Sequence, residues 1–441
     1  MIDLARYNSR YYVDETLPLN TTTPNTLKQK LQDYFIGVNG TLILAFVGCW
    51  LGGVFDGLDS SLMHITMPLA LRDLTGQEPK AVAHLGSYIT AIFLIGWTLG
   101  GILFGYIGDK FGRVKAMMGS ILLYSIFTGL GGLAPNWELL AFFRFLTGLG
   151  IGGELVSITT FLSEVWPEKS RSFAVAMLIS SYQIGQMLSG VLNYFVQDWR
   201  HAFFFGALPA LLIFFLRRNL GESEKWMDDQ LTQAEAQQEK TSLWKLLFDV
   251  ENRRNLWVGG VSFAAYLTVF WAALAWLPSW VDSLPNRPDD ARAIQVMSQG
   301  IFAIVGCTCA GFFTHTLGRK ASIFLGSLGI LISSLVLFLG FKSFHPALYW
   351  VGGAFGFFHG LTQSSFYVYI PELFPTRIRM SAVGFCFNVG RVFTALAVLM
   401  VGVLVQTLGG FAQSATVFSL FTLIIMATLF FGEETKGKVL Q

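Results

Sequence analysis

Charge is scarce in this chain: Asp, Glu, Lys and Arg make up 13% of 441 residues, where a soluble globular protein carries about 25%. That shortage excludes a soluble domain with an ordinary hydrated surface. With 53% hydrophobic residues and a mean hydropathy of +0.54, the composition is that of a polytopic membrane protein. Cysteine is rare too. Cys49, Cys307, Cys309 and Cys386 lie in apolar segments without metal-ligand spacing, so they are expected to be free thiols packed as small hydrophobes. A net charge of +2 offers nothing specific to a nucleic acid. No nucleophile–base pair, metal cluster or nucleotide-binding loop is legible, so an enzyme, a cofactor and direct coupling to ATP are not expected. A membrane receptor would usually carry a sizeable soluble domain, and the polar stretches here are too short to fold alone. Residues 1–40 are polar and mixed, with no basic-then-apolar start, so no signal peptide is expected.

What is abundant is the apolar run. A spanning helix needs about 20 residues, and Gly, Pro and charge punctuate the chain into twelve such runs. The first half holds 41–71, 85–108, 115–134, 137–162, 172–197 and 201–217. The second holds 256–282, 293–315, 321–341, 347–372, 379–408 and 412–432. The expected organisation is an N-terminal segment (1–40), a six-helix bundle (41–217), a polar linker (218–255), a second six-helix bundle (256–432) and a tail (433–441). Lys and Arg crowd one set of loops, and the other set holds only Arg72, Lys80, Arg200, Arg287, Arg292 and Lys342. The positive-inside rule then puts both termini in the cytoplasm, and the expected location is a bacterial inner membrane.

Ionisable groups inside such spans are costly and by default mark an ion or substrate path. The stretch LGGVFDGLDSSLMHITMP (51–68) places Asp56 and Asp59 well inside the first span, three residues apart and so on one helix face. Arg144 in the fourth span lies at a depth matching Asp59, so a pair is expected there. A carboxylate that gains and loses an arginine partner between conformations can take up and release a proton. Glu154 lies deeper in the fourth span, as a second proton site or a tie to a neighbouring loop. Arg391 lies about 12 residues into the eleventh span, near the midplane at 1.5 Å per residue, and needs an anion there. Its planar fork suits a carboxylate, either a substrate's or that of Asp56, Asp59 or Glu154. Asn388 shares its face. Gln183 and Gln186 in the fifth span, and His359 and Gln363 in the tenth, could hydrogen-bond a polar substrate or act between helices. His64 and His359 are candidates for titration near neutral pH. Tyr266, Phe270 and Trp271, with Phe366 and Tyr367, are aromatic candidates for a pocket lining.

The halves repeat. GYIGDKFGRVK (105–115) joins the second and third spans, and GFFTHTLGRKA (311–321) joins the eighth and ninth. Six plus six spans with a matching loop indicate two parallel repeats around a central path.

On these residues the chain resembles the major facilitator superfamily. The family's loop signature is met by Gly105, Asp109, Lys110, Gly112 and Arg113, with Lys115 following. The resemblance implies an all-α fold of twelve transmembrane helices in two bundles, alternating access, and a loop that latches the halves in the outward-open state. The second copy departs from the signature, with His315 where the Asp would stand. RFLTGLGIGGE (144–154) is similar to the family's fourth-helix motif. SEVWPEKSR (163–171), GESEKW (221–226) and EETKG (433–437) are similar to loop signatures of sugar and organic-ion porters. DGLD (56–59) and PELFPTRIRMSAVGFCFNVGR (371–391) resemble proton symporters of aromatic acids and sialate. A paired Gln followed by Gly and Asn, the sugar-porter mark, is missing from the seventh span. The resemblance implies a secondary transporter, expected to be monomeric, that moves a small organic anion across the lipid bilayer with a proton, the proton gradient supplying the energy. The alternative is a neutral sugar or polyol symporter.

Overall fold

The computed structural model describes residues 35–77, 83–196, 198–235, 242–274, 277–282, 284–408 and 410–438. Most of the expected N-terminal segment, residues 236–241 of the expected linker, the end of the tail and the side chain of His64 lie outside the described residues.

Regular structure among them is helical. In the first half lie α1 (Gly40–Thr75), α2 (Ala83–Phe111), α3 (Arg113–Gly131), α4 (Trp137–Val165), α5 (Glu168–Phe195), α6 (Trp199–Phe205) and α7 (Pro209–Asn219). Two short helices follow, α8 (Glu224–Glu235) and α9 (Leu243–Leu247). The second half holds α10 (Val250–Ala272), α11 (Leu277–Asp282), α12 (Ala291–Thr316), α13 (Arg319–Gly340), α14 (Ala347–Glu372), α15 (Arg379–Thr407), α16 (Phe411–Ser419) and α17 (Phe421–Leu429). With α6 and α7, α10 and α11, and α16 and α17 each taken as one crossing, this is the twelve-helix fold. Among the described residues, eight segments are long and apolar enough to cross a membrane by length and composition alone.

Local chemistry sets the ends. The Asn39 side chain accepts from the Leu42 amide at 2.9 Å to start α1, and Asn136 does the same for Leu139 at the start of α4. Such caps satisfy amides that have no partner within the helix. Three crossings expected to be continuous are interrupted. The sixth turns at 206–208 before Pro209, which lacks an N–H and fits only a helix's first turn. The seventh breaks before Leu277, next to Pro278. The twelfth tightens at Leu420, whose amide bonds back only three residues to Val417.

Within the first half α1 packs on α5, and α4 packs on α2 and α3. In the second, α14 packs on α12 and α13, and α10 on α15 and α17. The halves meet along two seams, α2 against α15 and α5 against α12. These seams are equivalent under the six-plus-six repeat. The first is close because it is lined by glycine: a Cβ on Gly384 would lie 2.2 Å from the Gly101 carbonyl oxygen. Any larger residue there would push the halves apart.

Candidate functional site

The two halves are clamped together at the end that carries the 105–115 and 311–321 loops. Glu164, at the end of α4, receives Arg113 from its own half, with Nε at 3.0 Å and Nη2 at 2.9 Å. It also receives Arg379 Nη1 from the other half at 2.8 Å. Glu372, at the end of α14, is held in the same way. Arg319 of its own half donates through Nε and Nη2, both at 2.8 Å. Arg171 crosses from the first half at 3.0 Å. All six side chains are buried. Two arginines per carboxylate, the one from the same half in bidentate geometry, are what a buried charge needs to be tolerated.

Each loop is supported from behind. Gly112 and Gly318 take φ of 116° and 100°, a region that favours glycine, and so turn the chain into α3 and α13. Glu222 accepts from the Val114 and Lys115 amides at 3.0 and 3.2 Å. Glu434 accepts from Arg319 and Lys320 at 2.9 and 3.1 Å. Thr435 donates to Glu372 at 2.6 Å. Burial pushes the Glu222 carboxyl above its ordinary value, and the two amides and nearby cations oppose that. Lys225, on α8, is pushed down to about 8 by burial, with Arg171 and Arg379 beside it adding repulsion.

The copies differ most in their chemistry at Asp109, whose counterpart is His315. Asp109 accepts from the Met380 and Ser381 amides of the opposite half at 3.1 and 2.7 Å, and pairs with Arg113 at 3.1 Å. A carboxylate at the amino end of α15 also meets the positive end of that helix's dipole. Gly105 lies so near the Met380 carbonyl that a Cβ would come within 2.7 Å of it. Lys110 is exposed, over the Tyr106 and Phe111 rings, and takes no part in the clamp.

Deeper in the membrane, the acids of the first half have different neighbours. Arg144 Nη1 lies 3.5 Å from Asp59 Oδ2, with both side chains buried, and its guanidinium sits 4.3 Å over the Phe203 ring. Asp56, one turn earlier on α1, instead receives Ser60 at 3.3 Å and interacts electrostatically with Arg391. The two carboxylates therefore serve different cations. Glu154 faces α1 rather than a loop: a Cβ on Gly52 would lie 2.4 Å from its Oε1, and the Tyr124 hydroxyl is its polar neighbour.

Arg391 stands on the seam between the halves. Its Nε donates to Asn388 Oδ1 at 3.1 Å, and Asn388 in turn donates to the Gly384 carbonyl at 2.8 Å. Its guanidinium carbon lies 4.0 Å from the centroid of the Trp97 ring of the opposite half. Among the described residues no carboxylate forms an ion pair with it. Asp56, Tyr182 and Tyr367 are its electrostatic neighbours. The terminal nitrogens of its fork make no hydrogen bond among the described residues, so they can receive an anion.

The remaining candidates form two pairs. Gln183 donates to Gln363 at 3.1 Å across the seam, and Gln186 lies beside Tyr182. The Tyr266 hydroxyl bonds His359, 2.9 Å from Nδ1, and the imidazole is stacked between the Tyr266 and Phe270 rings. Both are buried. Trp97 and Tyr182, which flank Arg391, were not singled out by sequence reasoning.

A family model described as sugar (and other) transporter matches residues 49–441. The niacin transporter of Acinetobacter baylyi is 28% identical over 94% of this chain and 99% of its own length. The cis,cis-muconate transport protein of the same organism is 28% identical, over 82% of this chain and 87% of its own length. The sialic acid transporter of Escherichia coli is 29% identical, over 78% and 83%. Among solved structures, the proton:xylose symporter XylE, of the major facilitator superfamily, aligns with a TM-score of 0.73 at 20% identity, over 91% of this chain and 98% of that one. At that identity the likeness establishes the fold.

Proposed function

The chain belongs to the family of sugar (and other) transporters, and from that premise we propose that it carries a small organic anion, held by its carboxylate on Arg391, together with a proton. It is an integral membrane protein and a secondary transporter. The observation that carries the reading is the Arg391 fork, set between the halves on Trp97 and Asn388, with no carboxylate of the described residues bound to it. A neutral sugar gains little from such a cation. A carboxylate receives two parallel charge-assisted hydrogen bonds. Relatives named for niacin, cis,cis-muconate and sialic acid, each a carboxylic acid, support this class over the sugar alternative.

Coupling follows from competition. Asp56 and the substrate face the same guanidinium. With Asp56 ionised, the field of Arg391 is partly satisfied. With Asp56 protonated, Arg391 is left to the substrate. Anion and proton then bind together, and the loaded protein can close around them without an unpaired charge on the seam. Asp59 with Arg144, and Glu154 beside Tyr124, extend a chain of ionisable groups through the first half that suits a proton path. Alternating access rocks 41–217 against 256–432, opening and closing the arginine–glutamate clamps. The reading also places both termini in the cytoplasm of a bacterial inner membrane, with the chain acting as a monomer.

The test is uptake of labelled organic acids by proteoliposomes, with and without an inward proton gradient. At least one acid should accumulate uphill only with the gradient, and xylose should not. Asp56→Asn should abolish accumulation while leaving substrate-for-substrate exchange. Uphill transport by both Asp56→Asn and Asp59→Asn would place the proton site elsewhere, with Glu154 next in line.

A further inference from the structure

Away from the central site, a groove of about 480 Å³ opens at the clamp end of the molecule, between the first turns of α10 and the end of α17. It is lined by Val250, Arg253, Arg254, Trp257, Val258 and Phe431, with Thr428 at its floor. Residues three and four apart lie on one helix face, so the first five form a single stripe of α10, with two cations above a wall of apolar side chains. Trp257 and Phe431 are 67% and 66% exposed. Arg254 is fixed, its Nε donating to the Phe431 carbonyl at 2.7 Å. Arg253 is exposed and makes no ion pair among the described residues. Lys320 Nζ donates to the Gly432 carbonyl at 2.8 Å and adds a third cation at the rim.

Three of the nearby acids are engaged, and Glu251, three residues before Arg254 and so at the edge of the same face, is outnumbered by the cations there. Asp249 caps α10 through the Val250 amide. Glu433 pairs with Lys438, and Glu434 caps α13. Glu251 is the remaining carboxylate, on the first turn of α10. α10 is one of the segments long and apolar enough to span, so its first turns lie at headgroup depth. Tryptophan favours that depth, and clustered cations there attract anionic lipid.

We propose that this groove binds an anionic phospholipid, with Arg253 and Arg254 on the headgroup phosphate and Trp257, Val258 and Phe431 along the acyl chains. Both helices belong to the second half, and Gly432 and Glu433 lead directly into the Glu434 cap and the Thr435 contact with Glu372. An occupied groove therefore steadies the base of the second clamp.

Native mass spectrometry of the full-length protein, titrated with phosphatidylglycerol and with phosphatidylcholine of the same chains, tests it. The parent should bind the first phosphatidylglycerol at least about 5-fold tighter, the scale expected of one basic residue near a membrane surface. Arg253→Gln, which leaves the Arg254 anchor intact, should remove about that factor for phosphatidylglycerol and leave phosphatidylcholine unchanged. Lys342→Gln, at the other end of the molecule, should change neither. Equal affinity of the parent for both lipids, full preference in folded Arg253→Gln, or an equal loss in Lys342→Gln would overturn the proposal. Displacement of the lipid by water-soluble glycerol phosphate would overturn the lipid assignment in favour of a soluble phosphate.

Discussion

The two halves carry the same clamp but different interiors. At the clamp end, Arg113–Glu164–Arg379 and Arg319–Glu372–Arg171 are one arrangement built twice. In the membrane interior the first half holds Asp56, Glu154 and the Asp59–Arg144 pair, and the second holds the cation Arg391. Rocking requires two equivalent surfaces that separate and rejoin, which a repeat supplies without further design. Moving an anion with a proton requires unlike groups facing each other, which a symmetric pair cannot provide. The clamp thus stays symmetric while the interior diverges, and the main break in clamp symmetry is Asp109 against His315.

The largest effects should come from breaking either symmetric clamp. Glu164→Gln leaves Arg113 and Arg379 short of their shared anion inside the protein, a class of change that costs about 3–5 kcal/mol. Glu372→Gln should cost about as much, because Arg319 and Arg171 meet it as Arg113 and Arg379 meet Glu164. Thermal unfolding in detergent measures both. A loss in Glu164→Gln alone would show that the second clamp is ornamental to stability and that the halves are less alike than their geometry.

The asymmetric position should give a smaller and unequal effect. Asp109→Asn keeps one acceptor oxygen and so loses one of the two charge-assisted bonds to the Met380 and Ser381 amides, about 1.5–3 kcal/mol. It should slow exchange between states more than it weakens initial substrate binding. His315→Asn should alter either by less than about 0.5 kcal/mol, as expected of exposed positions. Cysteine labelling at the clamp end, compared with binding in the same variants, separates the two effects. Equal, large losses in exchange and binding for Asp109→Asn would assign the loop to folding.

The smallest effect concerns pH. Lys225 sits at about 8 in the folded protein against 10.5 ordinarily, through burial first and then Arg171 and Arg379, with Glu164 and Glu168 opposing. Below about 8 the folded protein carries an unfavourable half-buried cation. Between about 8 and 10.5 the unfolded chain binds the proton and the folded one does not, so stability rises with pH across that window. Lys225→Met should flatten that rise. A parent whose unfolding temperature is level from pH 7.5 to 9.5 would contradict the half-buried-cation account.

Much of this was legible beforehand because a bilayer leaves few options: backbone groups must be satisfied within each span, so apolar length alone locates the helices. Single charges in apolar runs, such as Asp56, Asp59, Arg144 and Arg391, stand out for the same reason. The clamp partners were less visible. Glu164 and Glu372 end spans, where carboxylates are ordinary, and their cations arrive from remote loops. A signal did exist: Glu164–Arg171 and Glu372–Arg379 share the spacing Glu-x-x-Pro-x-x-x-Arg, and aligning the repeats through it pairs each glutamate with the crossing arginine of the other. Trp97 and Tyr182 carried no such signal. In a chain with 15% aromatics, nothing marks one ring as the support of a guanidinium. The breaks at 206–208 and Leu420 were hidden because no charge interrupts those apolar runs.

Binding of the best substrate to Arg391 variants, taken on folded, monodisperse protein, tests the central claim most directly. A charge-assisted pair with the substrate carboxylate is worth about 1.5–3 kcal/mol, so Arg391→Gln should weaken binding roughly 10- to 150-fold. Arg391→Lys keeps the charge but loses the fork and the guanidinium contact with Trp97, so it should also bind weakly. Asn388→Ala should cost less, since it removes a neutral bond that orients Arg391. If Arg391→Lys and Arg391→Gln both bind like the parent, Arg391 is structural, the organic-anion reading loses its main support, and a neutral sugar or polyol becomes the better substrate class.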